Sequence, residues 1–374
     1  MRKLITEYNG WIETINLLSQ EKIVAFDLEA NGMHAYPEHI CLLQFGTVED
    51  QFIVYPEALG NADELRAFFQ NEKVEKIFHS CDYDIRSLSR DYNIAVKNMF
   101  DTSVGAQFLG ASQLGLANVL NRFLDLEIEK NTKIQKMDWG KRPLSEEELK
   151  YAADDVFHLI DLRNLLVKNL KKLNRLSWAK EEIDRLSKVR FGESCSMEDS
   201  FLRIKGVRAL RPHQLAVLRE LSIFREKLAL KKNSPPYKII GNKTLITLAV
   251  NPETNIYSLK GIGRWLLNQA HKELADALKR GINAEPIFLP KMPRRPVWSN
   301  SANSRLSILK EWRLRKGSEL SLDPAILWPV ASLQRIARKP AELSEELSNE
   351  NNPDVRKWQK DLLAKELEIL VKTL

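Results

Sequence analysis

Residues 23–29, IVAFDLE, decide how the first half of the chain folds. An apolar run rich in strand formers reads as a buried strand. It then meets two acids, Asp27 and Glu29. Alternation along a strand puts both side chains on one face, ~7 Å apart at Cα. Two carboxylates beside a core repel each other and are costly to bury. Either a divalent cation offsets that cost, or the strand end surfaces into solvent. Oxygen ligands of this kind suit Mg²⁺ or Mn²⁺.

Outward from this strand, residues 40–46 (ICLLQFG) and 51–55 (QFIVY) read as further strands, and 62–70 (ADELRAFFQ) as an amphipathic helix. KIFHS (76–80) reads as a strand that ends at His79, itself expected to be a packed or hydrogen-bonded histidine. A helix then starts near Ser80, a residue type favoured at N-caps. Asp82 and Asp84 fall in or near its first turn, where an acid also suits the helix dipole. Helices are expected around 102–109, 114–123 and 146–170. Strands first, then mixed α and β, argue for a sheet with helices on its faces.

Residues 171–200 read as a connecting helix and linker. Beyond 200 helical periodicity takes over, at 215–230, 243–250 and 263–281, with Asn251-Pro252 and Gly281 as stops. PKMPRRPVWSNSANS (290–304) has the composition of a linker. Helical pattern returns at 305–320, 327–338 and 358–374. LAVLRELSIFREKLAL echoes LSILKEWRLRKGSELSL, and KTLITLAVNP echoes ASLQRIARKP, so one small helical unit is expected twice.

Charge is divided unevenly. Residues 1–190 hold 25 lysines and arginines against 30 aspartates and glutamates, a net of −5. Residues 201–340 hold 27 against 9, a net of +18. Such an excess points to a polyanion, and nucleic acid is the expected one. No run of 18 or more apolar residues is present, so no transmembrane helix is expected. The N-terminal stretch, interrupted by Glu7 and Glu13, lacks the pattern of a signal peptide. Cys41, Cys81 and Cys195 form no CxxC pair and read as free thiols of a reducing cytoplasm.

A third acidic element lies in LKYAADDVFHLIDLRNLL. Tyr151 and Asp155, at i and i+4, share a helix face, and Asp154 is rotated away by ~100°. The pair could orient a water and hold a metal, or simply form a surface hydrogen bond. The ordered set Asp27-x-Glu29, His79-Ser80-x-x-x-Asp84 and Tyr151-x-x-x-Asp155 resembles the motifs of the DEDDy 3′→5′ exonucleases. MDWGKRPLSEEELKYAADDVFHLIDL (137–162) and FDTSVGAQFLG (100–110) resemble ribonuclease D in particular. Residues 201–254 resemble an HRDC module, and 303–374 a more divergent copy. Ser80 and Glu129-Lys130 depart from the residues usual in the family. Gly241-Asn242-Lys243-Thr244 echoes a P-loop, but Pro236 stands where its first glycine is needed.

The resemblance implies an α/β fold: a ribonuclease-H-like mixed sheet with flanking helices, followed by two small all-α HRDC-like bundles. The implied division is an exonuclease domain at 1–170, a connecting helix and linker at 171–200, HRDC-like units at 201–283 and 303–374, and a linker at 284–302. Asp27, Glu29, Asp84 and Asp155 become the expected ligands of two divalent cations, Mg²⁺ or Mn²⁺, and Tyr151 the residue that positions water. Expected nucleic-acid contacts are Trp139, Lys130, Arg142, Arg203, Lys205, Arg208, Lys231 and Lys232; Trp139 could equally be a core aromatic. The family implies a 3′→5′ exoribonuclease acting on RNA with a free 3′ end, tRNA precursors among them; a monomer located in the cytoplasm is expected beside it. An exonuclease acting on DNA, a non-catalytic RNA-binding protein and a partner-binding scaffold are the rival readings.

Overall fold

The computed structural model describes residues 1–129, 131–192, 196–290, 297–348, 352 and 354–374. Six strands form one sheet: β1 (Arg2–Ile5), β2 (Ile23–Ala30), β3 (Ile40–Gly46), β4 (Gln51–Val54), β5 (Glu75–Phe78) and β6 (Met99–Asp101), in the order β1-β4-β3-β2-β5-β6. β2 runs antiparallel to β3 and parallel to β5, so the sheet is mixed. β1 and β6 were not foreseen; they are four and three residues long, too short to show alternation.

β2 lies at the centre because its apolar half is buried. Val24, Ala25 and Phe26 are fully enclosed, and Phe26 packs edge-on to Phe69 at 4.9 Å and 5.1 Å from Phe45. The expected helix over 146–170 is two helices, Glu146–Phe157 and Leu159–Lys172, with His158 between them outside helical geometry. The first lies across β2, β3 and β4; the second packs on β2 and β5.

The helical half repeats its own element plan. Pro212–Lys232, Pro236–Ile239 and Asn242–Val250 are 21, 4 and 9 residues long. Asn300–Leu320, Pro324–Leu327 and Val330–Arg338 have the same three lengths. Both 21-residue helices end on a left-handed residue, Asn233 and Ser321. The units differ in what they pack on. The first closes its own core around Leu218, Leu221, Leu248 and Leu274. The second shares one core with the sheet domain.

Helix Leu176–Leu186, expected to be a connector, is the seat for that second unit. Trp178 stacks on Trp358 at 5.0 Å, and Glu181 accepts the amides of Lys357 and Trp358 at the start of helix Lys357–Lys372. The first unit touches the sheet domain through the loop after β2. The Tyr36 hydroxyl donates to Glu226 at 2.5 Å, the Tyr36 amide to Asn233 at 3.0 Å, and the Tyr237 hydroxyl to the Met33 carbonyl at 3.1 Å.

Candidate active site

Three elements bring the acids together. β2 carries Asp27 and Glu29 on one face, opposite Gln44 and Leu42 in the register with β3. Helix Asp82–Tyr92 carries Asp84, 6% exposed. Its start differs from expectation. Ser80 adopts a left-handed conformation (φ 63°) and Cys81 takes the N-cap position. The free amides there are met by Asp101, which accepts from Ser80 and Cys81 at 3.2 and 2.8 Å. Helix Glu146–Phe157 carries Tyr151 and Asp155 on its inner side and starts on a capping box of Ser145 and Glu148. Asp154 points outward and pairs with Lys150 at 2.7 Å.

The four acids feel one another. Burial pushes Glu29 up to about 10, with Asp27, Asp155 and Asp84 adding to the rise. Burial pushes Asp27 up to about 7, against the opposing hydrogen bond from the Leu28 amide. Asp84 is raised by burial and then by Asp27 and Asp101; Asp155 is raised by burial and then by Asp27 and Asp154. Among the described residues, no lysine or arginine forms an ion pair with any of the four. Nor are three metal-binding side chains there already drawn into one coordinating group. Gln44, fully buried opposite Asp27, has both amide atoms unpaired among the described residues. Hard oxygen donors, enclosed and lacking a protein cation, fit a divalent ion of the Mg²⁺ or Mn²⁺ class.

Tyr151 is half-buried, and its hydroxyl is pushed above the usual phenol range by burial, then by Asp155, Glu29 and Asp27. Trp139 lies 6.2 Å from it, ring to ring, and is 1% exposed. That burial corrects Trp139 as a base-stacking residue: its face is spent on the core under Tyr151. Arg142 is likewise spent on the protein. Its guanidinium donates to the Cys41 and Trp139 carbonyls at 2.6 and 2.7 Å and lies 3.8 Å over the Tyr55 ring. His79 is held inside by Thr102 and the Leu114 carbonyl, both at 2.8 Å, as a hydrogen-bonded histidine. Arg203, Lys205, Arg208, Lys231 and Lys232 are exposed on the first helical unit, away from the acids in sequence and element. Arg208 reaches the Pro290 carbonyl and Lys232 the Gln269 side chain, each at 3.4 Å. Lys130 lies outside the described residues.

Residues 3–171 match the family described as 3′-5′ exonuclease, and residues 214–278 match the HRDC domain. Ribonuclease D of Bartonella henselae is 24% identical over all of this chain and 90% of its own length. The chain is similar to ribonuclease D from end to end. The ribonuclease D of Haemophilus influenzae is 29% identical over 70% of this chain and 65% of its own. The crystal structure of Escherichia coli RNase D shares the fold over 100% of this chain and 99% of that one, at a TM-score of 0.72 and 18% identity.

In this ribonuclease D-like chain, one cross-brace near the acids escaped the sequence reading. Arg90, on the helix of Asp84, bonds Glu38 at 2.8 Å and Asp91 at 2.6 Å. Asp91 accepts the Ile40 amide at 2.7 Å, and Tyr83 also donates to Glu38. Glu38 sits on the connection from β2 to β3 and Ile40 opens β3 opposite Ala30, so the brace ties the Asp84 helix to the hairpin of Asp27 and Glu29. No local motif marks a pair 52 positions apart. Arg90→Ala should lower turnover on RNA roughly 10- to 100-fold, as loss of supporting partners around ligands does, with Arg90→Lys intermediate. Steady-state kinetics check it; unchanged turnover would remove Arg90 from the site's support.

Proposed function

We propose that the chain is a metal-dependent 3′→5′ exoribonuclease that releases nucleoside 5′-monophosphates one at a time. The observation that carries this is the meeting of Asp27, Glu29, Asp84 and Asp155, with no lysine or arginine paired to them among the described residues, beside the Tyr151 phenol. The four carboxylates would hold two divalent cations. Such ions supply Lewis acidity, lowering the pKa of a water and stabilising a leaving 3′-oxygen. Tyr151 keeps its proton and offers a donor and an acceptor to orient the attacking water, braced from behind by Trp139. The acidic sheet domain repels RNA, and the basic helical half supplies long-range attraction that salt would weaken. The second helical unit, 303–374, repeats the HRDC plan in divergent sequence. Precursor tRNA ends are the substrate this reading favours, for a monomer acting in the cytoplasm.

The test is a 5′-labelled single-stranded RNA and its DNA counterpart with Mg²⁺, Mn²⁺ or EDTA. RNA should shorten from its 3′ end into a metal-dependent ladder, and EDTA should stop it. Tyr151→Phe should slow turnover roughly 100-fold with little change in KM. Equal or faster cutting of DNA would change the substrate class. Salt-sensitive binding without cleavage under either metal would replace the enzyme by a binding protein.

A further inference from the structure

All eight tryptophans lie among the described residues, and Trp265 alone is exposed, at 39%. It sits at the start of helix Arg264–Asn283, whose path breaks at Ala270 (φ −146°, ψ 23°). Before the break, Leu266 and Ala270 face the unit's core while Arg264, Trp265, Asn268 and Gln269 face solvent. The Lys232 ammonium lies 5.9 Å from the centre of the Trp265 ring and 3.4 Å from Gln269. An exposed indole beside a lysine, flanked by Arg264, is the pairing that holds single strands: a π-face for a base and cations for the backbone. The unit around it is strongly cationic, with 16 lysines and arginines against 5 acids over residues 201–281.

Its place in the fold supplies the direction. Asn233, next to Lys232, accepts the Tyr36 amide, and Tyr36 lies on the loop that leaves β2 after Asp27 and Glu29. The lysine side of the platform therefore adjoins the junction between the helical unit and the acids.

We propose that Trp265, with Lys232 at its ring, is a stacking platform for an unpaired base of the RNA strand upstream of the 3′ end held by the acids. This rests on the exoribonuclease reading for the strand's polarity. Bases inside a duplex are already stacked and cannot lie on the indole, so the platform favours single-stranded tails. Every feature it needs is a π-face or a cation, so it reads strandedness and not sequence.

The test uses the full chain in an Asp155→Ala background, so that RNA is bound and not consumed. Fluorescein-labelled oligoadenylates of about 3, 6 and 12 nucleotides (lengths spanning reported single-strand site sizes) are titrated by anisotropy. Trp265→Ala should weaken the longest by roughly ten-fold, with a loss that grows with length, and Trp265→Phe should recover most of it. Lys232→Gln should flatten the salt dependence by roughly 0.7 in log–log slope. Equal loss at all lengths, no loss, or Phe as weak as Ala would overturn the platform. If Trp265→Ala unfolds, the Phe and Lys232 variants still decide it. A wild-type chain that binds RNA but never shortens it would sink the exoribonuclease reading alone; the length series would still judge the platform.

Discussion

Asp155→Ala is expected to reduce 3′ trimming of RNA by about three orders of magnitude or more, while Asp154→Ala stays near the parent rate. The two acids are adjacent in sequence, equal in charge and one carbon skeleton, so only direction separates them. Asp155 shares its helix face with Tyr151 and is raised by Asp27 across the site. Asp154 leans outward on Lys150, an i,i+4 pair with both partners largely in solvent, and such pairs matter little to the fold. Among the described residues none of the four acids is paired with a lysine or arginine, so on the proposed reading each helps to hold charge brought from outside. On that reading, loss of one should leave a site that can neither neutralise the scissile phosphate nor place the water. Single-turnover rates with saturating Mg²⁺ or Mn²⁺ measure the effect. Comparable losses in both variants would mean that the helix presents a different face, and the whole assignment of Tyr151 would fall with it.

How far this site was legible depends on what kind of contact built each part. Asp27 with Glu29, and Tyr151 with Asp155, follow from strand and helix periods, which are local rules and visible in the letters. Their convergence on Asp84 was legible only through the resemblance, because it is set by the sheet order β2-β5 and by helix Glu146–Phe157 crossing β3. The helix starts near Ser80 as expected, but its cap was misread, because Asp101, 20 residues beyond the N-cap Cys81, accepts the amides a Ser80 side chain was expected to serve. Trp139 and Arg142 read as RNA contacts because aromatic and cationic residues suit nucleic acid. Burial under Tyr151 and bonds to carbonyls of the fold decide otherwise, and neither is local. Trp265 is not marked by the letters because helical periodicity places an indole on an apolar face as readily as beside it; in the fold Leu266 and Ala270 take the core side and Trp265 lies exposed. The repeat of the helical unit was legible because two stretches of each unit echo in the letters, LAVLRELSIFREKLAL in LSILKEWRLRKGSELSL and KTLITLAVNP in ASLQRIARKP. Its docking was not, because Trp178 and Trp358 meet across 180 positions.

The chain without divalent cations should lose thermal stability as pH rises from about 6.5 to 8, by roughly 5 °C. The sign follows from the acids. Asp27 and Glu29 hold protons in the fold up to about 7 and about 10, against ordinary values of 3.8 and 4.5. Over this interval the unfolded chain has already released those protons, so stability that is full below about pH 4 drains away as pH climbs through the folded values. Asp84 and Asp155, also raised, act in the same sense. Groups of opposite sign act outside the window or only at its ends. The lowered carboxylates Asp50, Glu72 and Glu366 give up stability only in acid. His79, lowered by burial, pulls the other way only near the lower limit, where the unfolded chain still takes up a proton at that position. Lys76, lowered by burial to about 8, begins to pull the other way only at the upper limit. On the proposed reading Mg²⁺ or Mn²⁺ binds the deprotonated acids, so either ion should restore the melting temperature at pH 8 and do little at pH 5. Asp27→Asn should flatten both responses, and in EDTA at pH 8 it should melt higher than the parent, because one member of a repelling set is gone. Melting curves across pH with and without metal decide the matter. Parallel curves would show that the acids do not share a charge burden, and a variant that melts lower in EDTA would show that Asp27 supports the fold and not an ion.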